Sequence, residues 1–334
     1  MRFRKLDLNL LVALDALLSE QQVTRAGERI LLSQSAMSGA LARLRTHFGD
    51  ELIMKLKNKM VLTPLAESIR KPVRDTLLLA QAVMDTRPLF NPETSNREFA
   101  IVASDFVDGI LLESAVQHLA TSAPQIVIEL LDLIGRKMVE DLDRGDIDLL
   151  IVAEHYASAE HPREVLFRDT MRCVVWSEHP TVGDELTLEQ YLDLPHVAMN
   201  FGRARMQCIE GDFLRGLGYR RKVATWTKSF LALPRLVVGT NRIATVPRLL
   251  ADRVAKTMPI KSLLPPVKFP EIVEVMQWHQ CRDKDPGIVW LRSFLHAAAA
   301  GQLSVDEPVA NDKIVKALTI PSRRKLFARV ARPH

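Results

Sequence analysis

Cysteine is scarce in this chain: Cys173, Cys208 and Cys281 are the only three in 334 residues. They are odd in number, far apart, and form no Cys-x-x-Cys pair, which argues against a disulfide framework and for free thiols in a reducing cytosol. A long apolar run is also missing. The leucine-rich stretch from Leu6 to Leu18 follows Arg2, Arg4 and Lys5 as in a signal peptide. Asp7, Asn9 and Asp15 interrupt it, however, and no small-residue cleavage site follows. Nothing approaches the ~20 apolar residues of a membrane span, so a cytoplasmic protein with no membrane partner is expected. Catalytic signatures are lacking too: there is no Gly-x-Ser-x-Gly, Walker loop or dinucleotide fingerprint. Residues Asp141 to Asp148 have the acids of a calcium loop, but the glycine comes one position early and Val152 stands where a bidentate Glu belongs. They read better as a helix end, a glycine cap at Gly145 and a strand with a polar edge. His155 and His161 flank a loop without partners at metal spacing. No enzyme, cofactor or metal is expected.

What is present is the balance of a globular protein, 47% hydrophobic and 25% charged, with length for two or three domains. The net charge of +5 is unevenly spread. Residues 1–64 hold ten Lys/Arg against six Asp/Glu, and the last fourteen residues add five basic groups and no acid, leaving the middle mildly acidic. That distribution suits an N-terminal module that meets phosphates.

The first sixty residues carry the most information. Leu10, Leu14 and Leu17 lie on one helical face, with Asp7 as N-cap. A second helix is expected from Thr24 as cap through Ala26, Gly27 and Ile30, and a third from Ser33. The third helix buries Met37, Leu41, Leu44 and Phe48 and turns Gln34, Ser35, Ser38, Gly39, Ala42, Arg43 and Arg45 outward. A helix presenting Gln, Ser and Arg can reach base edges and phosphates in a major groove. By spacing alone, an ordinary amphipathic helix pair fits equally well. After Gly49, residues 50–64 read as a hairpin with Asn58 near its tip. Period-two alternation would put Lys55, Lys57 and Lys59 on one side, either as a phosphate-gripping wing or as a lysine-protected edge. From Pro64 to residue 86, Ile69, Val73, Leu77, Ala80 and Met84 recur at helical spacing, with Pro72 expected to kink the helix or pin its axis. Residues 87–92, Arg-Pro-Leu-Phe-Asn-Pro, mark a boundary.

Thr24-Arg25-Ala26, Leu32-Ser33-Gln34, Ala36-Met37-Ser38, Leu41 to Arg45, Phe48-Gly49 and Leu62-Thr63-Pro64 occur in the order and spacing of LysR-type transcriptional regulators. The opening Arg2-Phe3 and Leu6 to Leu11 resemble the branch of nodulation and aromatic-catabolism regulators. Gly27 departs from the family's usual alanine, Ser35 from its frequent proline, and Leu65 from a small residue; Gly27 should loosen helix two by ~1 kcal/mol relative to alanine. The resemblance implies a winged helix-turn-helix over residues 1–63 and a linker helix and hinge over 64–90 that pairs two subunits. An effector-binding domain over 91–300 and a basic, partly disordered tail over 301–334 follow. The DNA-contacting set would be Thr24, Arg25, Ser33, Gln34, Ser35, Ser38, Gly39, Arg43, Lys55, Lys57 and Lys59.

Beyond residue 97 the pattern alternates strands with helices, an α/β class with a parallel sheet. Strands are expected at 99–103, 126–131, 147–152, 173–176, 196–199, 222–226, 243–246 and 272–278. Helices should start near Met206, Ser229, Pro247 and Pro286. The chain crosses between lobes near 165 and returns near 268, giving two lobes about a cleft, similar to periplasmic binding proteins. Ligands of such sheets sit beyond C-terminal strand ends, which singles out Ser104, Asp105, Phe106, Asn200, Phe201, Trp226, Ser229, Phe230 and Val246. Phe106, Phe201, Trp226 and Phe230 could clamp an aromatic inducer; taken singly, each ring could equally be core. The resemblance implies an interrupted palindromic operator on double-stranded DNA, a homodimer assembling to a homotetramer, and a contact with RNA polymerase. It also implies activation of a neighbouring operon. The alternatives are a constitutive repressor, or an α/β enzyme or receptor.

Overall fold

The computed structural model describes residues 8–57, 59–85, 90–133, 137–201 and 206–303. They fall into two compact units: the first is residues up to 88 together with 140–146 and 279–285, and the second is the remainder. Asp7, Asn58 and residues 304–334 of the tail, with the expectations placed on them, lie outside the described residues.

In the first unit, helices α1 (Leu8–Glu20), α2 (Val23–Arg29) and α3 (Gln34–Phe48) precede strands β1 (Ile53–Leu56) and β2 (Lys59–Leu62) and helix α4 (Pro64–Asp85). Leu10, Leu14 and Leu17 of α1 meet Met37, Leu41 and Leu44 of α3 in one core that also takes in Ala26, Leu52, Ile53 and Val73. The Ser33 hydroxyl accepts from Ala36 N at 3.2 Å and caps α3, which ends at Gly49 in the left-handed region. Thr24, expected as a cap, is inside α2 instead; Gln22 precedes that helix and makes no side-chain cap bond. Thr63 caps α4, accepting from Ala66 N at 3.1 Å while donating to Asp50 at 2.6 Å, and Pro64 fills the first helical position, where no N–H is needed. The helix passes unbroken through Pro72, whose carbonyl accepts from the Thr76 hydroxyl at 2.8 Å.

Gly27 has a role beyond the one its helix propensity suggests. Leu32 N donates to the Gly27 carbonyl at 2.9 Å, folding the α2–α3 connection back over the helix. A Cβ at residue 27 would stand 2.8 Å from the Leu32 carbonyl oxygen, closer than real Cβ atoms come. The glycine admits this turn; it does not merely loosen the helix.

In the second unit, β3 (Glu98–Ala103), β4 (Val127–Asp132), β5 (Leu149–Ala153) and β6 (Arg163–Asp169) lie in a first sheet. The chain then crosses to β7 (Met171–Trp176), β8 (His196–Phe201), β9 (Met206–Gln207), β10 (Val223–Thr227), β11 (Ile243–Pro247) and β12 (Ile260–Leu263) of a second, and returns as β13 (Ile272–Gln277) to the first. The strand orders are β4-β3-β5-β13-β6 and β10-β8-β11-β7-β12, with β9 on β8. Both sheets are mixed rather than parallel. β3 runs parallel to β4 and β5, but β13 is antiparallel to β5 and β6 because it arrives from the other sheet and not through a helical crossover. The alternation missed β6, β9 and β12. A helix expected near Ser229 is a run of turns. β5 is fully buried between β3 and β13 and is no edge strand. Asp148 before it accepts from Ala100 N at 2.9 Å, a structural use for one acid of the apparent calcium loop. Among the described residues, no helix is long and apolar enough to cross a membrane.

Candidate nucleic-acid interface and effector cleft

Met37 and Leu44 of α3 are fully buried, whereas Ser35, Ser38, Gly39 and Arg43 are exposed away from them. Gln34 is exposed as the first residue of the helix, on the stripe of Met37 and Leu41. Thr24 and Arg25 of α2 and the capping Ser33 are exposed as well. Ser33 also meets the Ser35 hydroxyl at 3.0 Å, so its oxygen is shared between cap and neighbour. Arg45, read from the sequence as facing DNA, turns towards the hairpin. It donates to the Glu51 carbonyl at 3.0 Å and the Ile53 carbonyl at 3.2 Å and pairs with the Glu51 carboxylate at 2.8 Å. Its work is to fix the wing against the recognition helix.

The wing itself departs from the alternation. Lys55, Lys57 and Lys59 are all exposed, but β1 pairs with β2 in a register that sets Lys55 opposite Met60 and Leu56 opposite Lys59. Residues directly opposite share a face, and successive residues change face. Lys55 and Lys59 therefore lie on opposite faces of the hairpin, while Lys57 sits in the turn with φ +54. Period-two counting fails because it runs through a turn.

Below the reader, a polar network fastens α1 to α4. Arg74 of α4 donates to Asp15 of α1 at 2.8 Å and to Asp146 at 3.3 Å; Arg29 of α2 reaches Asp146 at 3.5 Å and Glu20 at 3.4 Å. Burial pushes the Asp15 carboxyl up and the Arg74 guanidinium down, each opposed by the other's charge. Nearby, ligand-capable atoms of Asp75, His279 and Cys281 all lie within 4.8 Å of one another, a grouping hidden in sequence by some two hundred residues of separation. The His279 ring accepts from Cys281 N through Nδ1 at 3.2 Å, which places the proton of a neutral ring on Nε2, towards Asp75 at 3.4 Å. A metal on Nε2 would need the opposite tautomer, so the geometry suits a close His279–Asp75 polar contact better than a metal centre.

In the second unit, a cleft of about 510 Å³ of empty space, its open mouth included, lies beyond the ends of the strands. Ser104 and Phe106 after β3, Ile151 to Ala153 of β5, Met171, Cys208 to Glu210, Phe230, Pro247 and the β13 residues Ile272 and Glu274 line it, with Tyr156. Phe106 and Phe230 stand with ring centroids 6.0 Å apart. Other expected effector contacts are placed elsewhere. Asp105 accepts from the Ser229 hydroxyl at 2.6 Å and from the amides of Phe230 and Leu231 at 3.0 and 3.2 Å, so both Asp105 and Ser229 hold the 229–231 turn. Val246 is core. Trp226 is 40% exposed on the edge strand β10, and Asn200 pairs with Gln207; neither lines the cleft. The side chain of Phe201 lies outside the described residues. Of the four-ring clamp, Phe106 and Phe230 are at the cleft.

Sequence reasoning missed Tyr156, Met171, Glu210 and Glu274. Glu210 forms a buried pair with Arg221 at 3.2 Å, which keeps the guanidinium charged. Glu274 is an acid inside the apolar run Ile272 to Gln277, the one sequence signal that could have exposed it. Its residue is 6% exposed, Oε2 has no hydrogen-bond partner, and burial, then the Asp169 charge, push its carboxyl up to about 8.

Comparison with known proteins agrees with this geometry. Residues 8–67 match the bacterial regulatory helix-turn-helix model of the lysR family, and residues 92–300 match the LysR substrate binding domain. The chain is 39% identical over 307 residues to nodulation protein D 1 of a Bradyrhizobium species, covering 92% of this chain and 98% of that one. It is 42% identical over 298 residues to nodulation protein D 2 of Rhizobium meliloti, covering 88% and 95%. Among solved structures, the regulatory domain of MexT, a transcriptional activator of Pseudomonas aeruginosa, superposes with TM-score 0.54 at 27% identity, over 61% of this chain and 99% of that one. Full-length OxyR of the same organism superposes with TM-score 0.66 at 18% identity, over 88% and 94%, a likeness of fold. A DNA-reading helix-turn-helix in front of a two-sheet effector-binding domain, matched along nearly the whole chain, makes this protein a member of the LysR family of transcriptional regulators.

Proposed function

We propose that the protein binds an interrupted palindromic operator through α3 and that a small aromatic inducer in the cleft controls a neighbouring operon. The observation that carries the DNA reading is the division of α3 into a buried Met37–Leu41–Leu44 face and an exposed face of Ser35, Ser38 and Arg43, with Gln34 exposed at the helix start. Gln can pair bidentately with adenine and Arg with guanine or phosphate. For α4, exposure of Leu79 at 52% and Val83 at 75%, four residues apart on one face, supports a role in joining two subunits. Two such dimers would form the tetramer. Two reading helices related by a two-fold axis require half-sites about one helical turn apart, ~34 Å.

An apolar cleft with Phe106 and Phe230 at one wall supports an aromatic inducer. Inducer binding acts only through different affinities for two states of the assembly, and the expected consequence is activation through contact with RNA polymerase. The relatives' name, nodulation protein D, favours a nodulation operon over a catabolic one as the target. Selection of bound duplexes from a random pool with the purified full-length protein tests this directly. Enrichment of a two-fold symmetric site supports the reading, and enrichment of an asymmetric site or of none refutes it.

A further inference from the structure

The cleft contains a feature that an apolar aromatic pocket does not need. Glu274 stands on the same face of β13 as Ile272, two residues away, and both line the cleft. The pairing of β13 with β6 shifts register between Glu274 and Val275, so that Glu274 faces Phe167 and Val275 faces Val165. Bulges of this kind re-aim side chains beside binding sites. Gln277, three residues on, is satisfied throughout: it donates to the carbonyls of Ser158 and His161 and accepts from Ser158 N. Glu274 Oε2 has no such partner.

The surroundings decide its charge. β5 offers only Leu, Ile, Val and Ala along its length. On β6, Arg168 is exposed and paired with Glu271, Arg163 is paired with Glu154, and Asp169 is a second acid, held by Leu249 N, Thr170 N and Arg248. The turn at 154–156 contributes Tyr156, a neutral phenol whose ionisation burial opposes. Of the other lining groups, Glu210 is matched by Arg221, and burial keeps the Cys208 thiol protonated. Among the described residues that line the cleft, none is basic. An isolated carboxylate in such a place takes up a proton rather than remain ionised, and a carboxylic acid has one O–H to donate.

We propose that Glu274 is a specificity-determining residue of this cleft, an uncharged carboxylic acid that donates a hydrogen bond to an oxygen of an uncharged ligand and discriminates against carboxylates. The proposal rests on the reading of the cleft as the effector site. It gives ligand binding a pH dependence, with affinity constant at neutral pH and falling as Glu274 ionises at alkaline pH.

Three probes with one skeleton separate the possibilities: 2-acetylnaphthalene, 2-naphthoate and protonated 1-(2-naphthyl)ethylamine. Each is titrated calorimetrically into the full-length wild type, E274Q and E274L between pH 6 and 9.5, and thermal unfolding without probe is followed over the same range. The expected result is that the ketone binds wild type at least about tenfold more tightly than the carboxylate or the ammonium. Its affinity should fall towards tenfold per pH unit above about 8 in wild type. E274Q, which keeps a donor and cannot ionise, should bind the ketone within about threefold of neutral wild type at every pH, while E274L should lose about tenfold. Without probe, E274Q should gain melting temperature over wild type as pH rises. Tightest binding of the carboxylate or the ammonium, or a wild-type pH profile shared by E274Q, overturns the proposal while leaving the cleft as the effector site. Binding of no probe to wild type, with the melting difference between wild type and E274Q intact, overturns the effector reading of the cleft and the proposal with it. A melting difference that does not change with pH overturns the protonated state.

Discussion

Replacing Arg74 with methionine tests the contact that fastens α1 to α4 in the first unit. Arg74 and Asp15 have side chains only 15% and 11% exposed and meet at 2.8 Å, so solvent screening removes little of their interaction. The bond to Asp146, 44% exposed at 3.3 Å, belongs to the weakly contributing class, under about 1 kcal/mol. Leaving a buried charge without its partner costs about 3–5 kcal/mol, but Asp15 can escape part of this by taking a proton. The expected loss at pH 7 is therefore about 2–4 kcal/mol. The sign with pH follows from the same escape. With Arg74 gone, desolvation holds the folded Asp15 pKa above its unfolded value, so stability is fullest below the unfolded pKa and is lost as pH rises through the folded one. The penalty of Arg74→Met should thus be smaller at pH 5 than at pH 8. Arg74→Met with Asp15→Leu, which removes both charges, should recover most of the loss. The assay is urea unfolding, with far-UV circular dichroism for the helical first unit. All four tryptophans, at 176, 226, 278 and 290, lie in the second unit and provide an internal reference by fluorescence. A loss below about 1 kcal/mol, or a double variant no better than the single one, refutes a buried pair as the fastening.

Gly27→Ala should lower the melting temperature of the first unit, because about 1 kcal/mol of helix propensity is outweighed by the approach of Leu32 O at 2.8 Å; an unchanged or higher midpoint by circular dichroism would contradict the close turn. Lys55→Ala and Lys59→Ala lie on opposite faces of the wing, and if only one face grips phosphate, only one variant should reduce the salt slope of DNA binding, by about one. Equal reductions in anisotropy titrations would mean that both faces touch DNA. Leu79→Glu with Val83→Glu, at exposed positions of α4, should lower the sedimentation coefficient by breaking the subunit contact proposed for α4, without loss of helix signal; an unchanged sedimentation coefficient would move the subunit contact elsewhere.

The reader was the most legible part of this chain because a helix has a single repeat. Once Met37, Leu41 and Leu44 are placed inwards, Ser35, Ser38, Gly39 and Arg43 turn away from the core. Gln34 falls on the same helical stripe as Leu41 and is exposed because it opens the helix. The wing was legible as a hairpin but not in its facing. A turn between Leu56 and Lys59 resets the alternation, and counting residues cannot reveal where the register changes. Thr24 illustrates the reach of tertiary packing over local preference: a good capping residue lies inside the helix because the extended residue is Gln22. In the larger domain, strand positions were readable from apolar runs, but strand direction was not, since β13 reaches its sheet from another. The cleft was the least legible element. Asp105 and Ser229 sit near the expected strand ends, yet they bond across 124 residues of sequence and so stabilise a turn rather than line the cavity. Glu274 carried one signal, an acid within an apolar strand, and only burial gives that signal meaning.

Binding of Gln34→Ala with Ser38→Ala to duplex DNA tests most directly whether the exposed face of α3 reads bases. The measurement compares affinity for the selected site with affinity for a scrambled duplex of equal length at one salt concentration. The expected result is a loss of tenfold or more for the selected site, from about 1–3 kcal/mol per lost base contact, with scrambled DNA bound as by wild type. Equal loss on both duplexes, or none on either, would contradict base reading by α3.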